Sequence, residues 1–98
     1  MTIASRIEQG AAMLDRRKPG WEKDLNLDTL EMVDCQFCVL GQLYGSYEGG
    51  KTALGLHEGT AHGFNSDTEQ FSILTRAWRR FVAKRLFQTF KKYLGKVK

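Results

Sequence analysis

The sequence lacks the features that mark membrane and secreted proteins. No apolar run approaches the ~20 residues needed to span a bilayer. The opening residues contain no apolar segment of the kind that forms the centre of a signal peptide. We therefore expect a cytoplasmic protein in which the two cysteines are reduced.

Acidic residues are absent from the C-terminal end of the chain. Residues 76–98 contain nine lysines and arginines and no Asp or Glu, which gives a net charge of +9. Residues 1–75 contain six basic and eleven acidic residues, a net charge of −5. Such an asymmetry indicates a partner for the basic segment: nucleic acid, an anionic membrane, an acidic protein, or the acidic front part of the same chain.

Ninety-eight residues, of which 42% are hydrophobic, predict one domain spanning 1–98. A first helix is expected to begin after Thr2, to carry Ile3, Ile7 and Leu14 on one face, and to end before Pro19-Gly20, which contains the only proline. Residues 24–33 alternate leucine and methionine with polar side chains. This pattern fits either a short strand pair, as a minor β element, or a helical turn.

The centre of the chain is rich in glycine. Cys35–Tyr47 predicts a second helix with Asp34 as its N-cap, and Gly49-Gly50 is expected to end it. Lys51–Leu56 can form a further short helical turn. Residues 57–66 have the composition of a loop.

The last helix gives the clearest pattern. It is predicted over residues 68–94, capped by Ser66 or Asp67, and ended by Gly95. One stripe contains Phe71, Leu74, Trp78 and Val82, and a rotated second stripe contains Ala83, Phe87, Phe90 and Leu94. At ~40 Å this helix exceeds a small core, so residues 79–98 should form a basic extension that projects, packs in a homo-oligomer or meets a partner.

The predicted fold class is therefore mainly α, with three principal helices. The first two should pack on the first half of the last through a core comprising Ile3, Ile7, Leu14, Leu40, Leu43, Phe71, Leu74 and Trp78.

Cations and aromatics alternate along the extension, a pattern that suits contact with an anionic surface. Cations neutralise phosphates or carboxylates, and aromatic rings can stack on bases or bury in a partner. The same pattern fits an amphipathic helix on anionic lipid, which we rank lowest, or a solvated face with no partner. The predicted partner-binding residues are Arg76, Arg79, Arg80, Lys84, Arg85, Phe87, Phe90, Lys91 and Lys92.

A second candidate site contains both cysteines and both histidines. Cys35 and Cys38 have C-x2-C spacing, and His57 and His62 follow with H-x4-H spacing after eighteen residues. Two thiolates and two imidazoles can hold Zn²⁺ tetrahedrally, although the intervening segment is longer than the ~12 residues of the usual finger. The alternatives are a buried structural thiol at Cys38 and a redox pair.

Support for catalysis is thin. A Cys38–His62 or Cys35–His57 pair could form a thiol nucleophile, but no third group or oxyanion hole can be recognised. We therefore expect no enzymatic activity, no small-molecule substrate and no required cofactor, with zinc as the alternative.

Several short segments carry a family resemblance: Pro19–Trp21, Leu27–Leu30, Cys38–Tyr47, Ala61–Asn65 and Leu74…Trp78. Together they resemble small uncharacterised proteins of actinobacteria and of their phages and prophages. The resemblance covers roughly residues 10–80 and excludes the basic extension. It implies no activity and transfers no site residue. The context it implies is a phage-related protein that acts in the host cytoplasm by binding a host protein, as an inhibitor or anti-defence factor.

The leading prediction is thus a non-enzymatic binding or regulatory protein that presents a basic aromatic helix to an acidic macromolecular surface. A nucleic-acid-binding module, with or without zinc, is the first alternative. A thiol enzyme or redox protein is the second.

Overall fold

The computed structural model describes residues 2–66 and 70–96, and its described side chains end at Lys92. The protein is mainly α-helical, and no strand occurs in these ranges. Four α-helices and two short 3-10 turns follow one another: α1 Ile3–Arg17, a turn at Trp21–Asp24, α2 Val39–Tyr44, α3 Tyr47–Leu54, a turn at Thr60–His62, and α4 Phe71–Lys96.

Helix α1 confirms the expected start, inner face and end. The Thr2 hydroxyl accepts a hydrogen bond from the backbone N–H of Ser5 at 3.0 Å, which satisfies one of the free amides of the first turn. Its buried face contains Ile7, Ala11 and Leu14, and the helix ends just before Pro19.

The helix predicted over Cys35–Tyr47 is shorter than expected, since α2 begins at Val39 and ends at Tyr44. The helical turn expected at Lys51–Leu56 is the second half of a separate helix, α3, which begins at Tyr47. Asp34 does not cap α2, because its carboxylate accepts from the amides of the turn that precedes the helix. The prediction that Gly49-Gly50 ends a helix is wrong, since both lie inside α3. A Cβ at Gly50 would lie 2.6 Å from Cβ of Leu40, so glycine is needed there for α3 to pack against α2.

Residues 24–33 form no strand, which corrects the expected minor β element. Leu25, Leu30 and Met32 are buried, and this explains the alternating pattern without a strand partner. The backbone is satisfied by side chains instead: the amide of Met32 donates to Thr75 Oγ1 at 2.9 Å. Period-two hydrophobicity here reflects an irregular segment lying against a helix.

Trp78 of α4 lies at the centre of the core and is fully buried. Its ring packs edge-on against Trp21, with ring centroids 6.1 Å apart, and stacks on Phe64 at 5.7 Å. Its Nε1–H donates to the carbonyl oxygen of Gly63. Of the predicted core, six residues are buried and Ile3 and Phe71 are half-buried beside them.

Helix α4 continues beyond this core. Its last fully buried residue is Val82, Leu86 is half-buried, and every described side chain from Phe87 to Lys92 is exposed. Twenty-six residues make a helix about 39 Å long, in a molecule whose longest dimension is 47 Å. The expected projection of the C-terminal part of this helix is therefore present, and the helix runs through Gly95, which does not end it.

Leu40→Ala should lower the free energy of unfolding by about 2–5 kcal/mol, because the Leu40 side chain of α2 is completely buried where α2 packs against α3. Urea denaturation measures the loss. Val33→Ala is the matched control: Val33 is 63% exposed, so the change should stay within about 0.5 kcal/mol. Equal effects of the two substitutions would contradict this description of the core.

Candidate interaction surface on the C-terminal helix

Helix α4 has an inner face and an outer face. Successive residues are turned by about 100° around a helix, so the inner face follows Trp78 and the outer face lies opposite. We define the outer face as the exposed residues Ile73, Arg76, Arg80, Lys84, Phe87 and Lys91. The basic residues of the helix divide between these faces, and the division separates their roles.

Arg79 is exposed at the border between the two faces, and it makes structural contacts. Its Nε donates to the carbonyl oxygen of Leu27 at 2.9 Å, and its terminal nitrogen donates to that of Leu30 at 3.1 Å. The guanidinium supplies hydrogen bonds that the irregular segment 24–33 would otherwise take from a partner strand. Arg79 was predicted as a partner-binding residue, and the fold uses two of the five N–H donors of this exposed side chain.

Arg85 joins the basic helix to the acidic front of the chain. Its guanidinium contacts both carboxylate oxygens of Asp15, at 2.8 and 3.0 Å, and Glu22 at 3.2 Å. It also lies 5.1 Å from the centre of the Phe81 ring and 5.9 Å from that of Trp21. Part of the charge asymmetry is therefore neutralised within the molecule, one of the four partners that the sequence allowed.

This ion pair shifts the ionisation of both groups. The hydrogen bond from Arg85 lowers the pKa of Asp15 below its ordinary value of 3.8, a change that partial burial opposes and a second bond from Trp21 Nε1 supports. The hydrogen bond with Asp15 raises the pKa of Arg85. Both groups therefore stay charged at neutral pH, and the clamp, defined as Asp15, Glu22 and Arg85, persists.

The cations of the outer face have no such neutralisation. In the described part of the chain no ion pair reaches Arg76, Arg80 or Lys84, and the amine of Lys91 lies 5.5 Å from the centre of the Phe87 ring. Lys92, next to Lys91 but outside this face, likewise makes no ion pair with a described residue. Phe87 and Phe90 are 61% and 56% exposed. This end of the molecule thus combines uncompensated positive charge with exposed aromatic rings, a combination suited to an anionic surface.

An apolar groove that the sequence did not predict adjoins the outer face. Ile3, Ala4 and Ile7 of α1 form one wall, and Ile73, Ala77 and Phe81 of α4 form the other, around a volume of about 390 Å³. Arg80 and Lys84 lie at its edge. The one available signal was Ile73, an isoleucine that falls outside both hydrophobic stripes of the last helix.

The structure does not gather the four predicted zinc ligands into one site. Among residues 2–66 and 70–96, no three His, Cys, Asp or Glu side chains are placed to share a metal ion. Cys35 and His57 are exposed, whereas Cys38 is buried. His62 stacks on Phe64 with ring centroids 6.3 Å apart, and its buried Nδ1 has no hydrogen-bond partner among the described residues.

Cys38 is the N-cap of α2. Its Sγ accepts a hydrogen bond from the amide of Gly41 at 3.2 Å, and burial raises the pKa of this thiol. A raised pKa keeps the sulfur protonated at neutral pH, which disfavours both a nucleophile and a metal-binding thiolate. These observations favour the buried structural thiol among the alternatives for Cys38.

Comparison with known proteins assigns no family to the chain: no family model, curated protein or solved structure matches it. Within the described ranges, no helix is sufficiently long and apolar to cross a bilayer.

Asp15→Asn should remove the charge of the clamp while retaining an oxygen acceptor for Trp21. A carboxylate whose pKa is lower in the folded than in the unfolded protein contributes its full stabilisation at pH values above its unfolded pKa. This stabilisation is lost as the pH falls through the folded pKa. At pH 7 we expect the free energy of unfolding of the wild type to exceed that of the variant by no more than about 1 kcal/mol, because solvent screens this half-exposed pair. The difference should shrink progressively as the pH falls below 3.8, through the lowered folded pKa of Asp15. Urea unfolding at pH 7 and over an acidic pH series measures it.

The control for this measurement is Asp28→Asn, which changes an exposed carboxylate whose oxygens have no hydrogen-bond partner in the described structure. The difference in free energy of unfolding between Asp28→Asn and the wild type should not show the loss at acidic pH that is expected for Asp15→Asn. A pH-independent effect of Asp15→Asn would argue against the clamp.

Thiol labelling should distinguish the two cysteines. Iodoacetamide should modify exposed Cys35 rapidly in the native protein and Cys38 only after unfolding, because Cys38 is buried and protonated. Peptide mass spectrometry over time measures both rates. Native labelling of Cys38 at the rate of Cys35 would revive the thiol-enzyme alternative.

Proposed function

We propose that this protein is a non-enzymatic binding protein that uses the outer face of α4 to contact an acidic surface of another protein. Given the resemblance to phage and prophage proteins, the proposed partner is a host protein in the host cytoplasm. The protein would act as an inhibitor of that partner. The proposal requires no cofactor.

One observation carries this proposal: the cations of α4 divide between those that the fold uses and those that it does not. Arg79 and Arg85 hold the irregular segment and α1 in place. Arg76, Arg80 and Lys84 make no ion pair among the described residues. Like charges concentrated on one exposed face destabilise the free protein slightly and attract an oppositely charged partner.

The proposed interface is therefore smaller than the nine residues that the sequence indicated. Arg79 and Arg85 are left out of the proposed contact, since part of each guanidinium already binds backbone carbonyls or carboxylates within the protein. The residues proposed to contact the partner are Arg76, Arg80, Lys84, Phe87 and Lys91 of the outer face, together with the exposed Phe90 and Lys92 at the projecting end of α4. The same concentration of charge opposes a homo-oligomer formed through this face, because two copies would bring like charges together.

Nucleic acid is the second candidate partner. Phe87 and Phe90 are exposed beside Lys91 and Lys92, and aromatic rings next to cations can stack on bases while the amines contact phosphates. This reading would place the contact at the projecting end of α4, beyond Lys84. A protein partner would also engage Arg76 and Arg80, nearer the core.

The double variant Arg80→Gln with Lys84→Gln should weaken binding of a fluorescent glutamate-rich peptide about tenfold or more, because it removes two uncompensated cations from the outer face. The matched control is Arg16→Gln with Lys23→Gln, which removes the same two residue types from exposed positions elsewhere. Fluorescence anisotropy across a salt series measures both, and binding should weaken as salt rises.

Equal loss in the two double variants would mean that only net charge matters, and the proposed surface would be wrong. Tighter binding of duplex or single-stranded oligonucleotides than of the peptide, with a steep salt dependence, would favour the nucleic-acid alternative. In that case Phe87→Ala and Phe90→Ala should reduce binding of the single strand more than that of the duplex.

A further inference from the structure

The groove between α1 and α4 lies beside the proposed interface and differs from it in chemistry. Its walls are aliphatic and aromatic, and they come from two helices that are distant in sequence. Ile73 on its rim is 49% exposed, although the side chain is strongly hydrophobic. A volume of about 390 Å³ is within the range of ~300–1,000 Å³ typical of ligand-binding clefts.

The edge of the groove is positively charged. Arg80 and Lys84 both line it, and they lie one helical turn apart, which is about 6 Å along the axis of α4. Glu8 of α1 borders the adjoining depression together with Lys84, but no ion pair joins the two in the described coordinates. An occupant must therefore fill an apolar cleft and bring negative charge to the edge formed by α4.

From this combination we infer that the groove receives an amphipathic helix of the partner protein, with bulky aliphatic side chains facing the cleft and carboxylates on one flank. Residues four apart on a helix lie on the same side, also about 6 Å apart. Two glutamates at that spacing can therefore face Arg80 and Lys84 together. Leucine or isoleucine on the neighbouring stripe would contact Ile3, Ala77 and Phe81.

The groove also distinguishes this partner from nucleic acid. A phosphodiester backbone has no aliphatic group to place between Ile3 and Ile73, and phosphates beside those side chains would be desolvated without compensation. The small side chain of Ala77 in the α4 wall of the cleft lets a partner approach the backbone of α4 closely. This inference rests on the proposed function and specifies the class of segment that is bound.

The test uses two synthetic helical peptides of about 18 residues, long enough to populate a helix in water. The first carries leucines at helical spacing beside a row of glutamates four apart. The second has the same glutamates with every leucine replaced by alanine. Each is titrated to millimolar concentration into the isotopically labelled full-length protein, and the amide NMR signals are followed.

The leucine peptide should shift the signals of Ile3, Ile7 and Ala77 and bind about tenfold more tightly than the alanine peptide. The variant Ile73→Ser should reduce that advantage to about twofold or less while leaving the alanine peptide unaffected. Val33→Ser is the matched control, because it removes another exposed aliphatic side chain far along the sequence from the groove. It should change neither titration.

Failures of the two proposals look different. Equal affinity for both peptides, or no shift at Ile3 and Ile7, would contradict helix binding in the groove. The proposed role of the outer face would still hold if Arg80→Gln with Lys84→Gln weakens binding of both peptides. If sodium dodecanoate shifts the NMR signals of the groove residues and the leucine peptide does not, the occupant is a small anionic amphiphile. That result would contradict the proposed helical partner. Binding of neither peptide would overturn both proposals.

Discussion

The hydrogen bond from Trp78 Nε1 to the carbonyl oxygen of Gly63 fixes the centre of this molecule. A buried donor without a partner would cost about 1–3 kcal/mol, so the loop that carries Gly63 must stay against α4. Gly63 has a positive φ of 74°, and a side chain there would lie 3.1 Å from the backbone of Ile7. One indole thus holds the loop between α1 and α4, and Trp21 and Phe64 pack around it.

That arrangement fixes the position of α4 and gives its basic residues two distinct environments. Arg85 follows Trp78 by seven residues, so it lies on the same side of the helix and reaches Asp15 and Glu22. Arg79 and Arg80 are adjacent in sequence, yet about 100° of rotation separates a residue that binds backbone carbonyls from one exposed at the groove. The net charge of this segment therefore overstates the charge offered to a partner.

Regular periodicity made α1 and the inner stripe of α4 predictable, because burial of every third or fourth side chain leaves a direct trace in the sequence. The boundary between α2 and α3 was misplaced, because Gly45 ends α2 and Ser46 caps α3, ahead of the glycine pair expected to end the helix. Gly50 looks like a helix terminator until Leu40 is seen to pack against it. Segment 24–33 was ambiguous because its backbone partners are side chains distant in sequence, including Thr75. The position of Arg85 on the same side of α4 as Trp78 could have been predicted from their spacing, but its partners Asp15 and Glu22 could not. The groove could not, because it arises only when α1 and α4 pack together.

The two-sided use of α4 has an evolutionary consequence. Replacement of Arg85 by lysine would forfeit the paired contact with Asp15, and replacement of Arg79 would leave two carbonyl groups poorly satisfied, so both positions are tied to arginine by the fold. Arg76, Arg80 and Lys84 make no ion pair among the described residues, so the fold does not require a cation at these positions. The outer face can accumulate substitutions at little risk to folding, which leaves this surface free to diverge rapidly if its target changes.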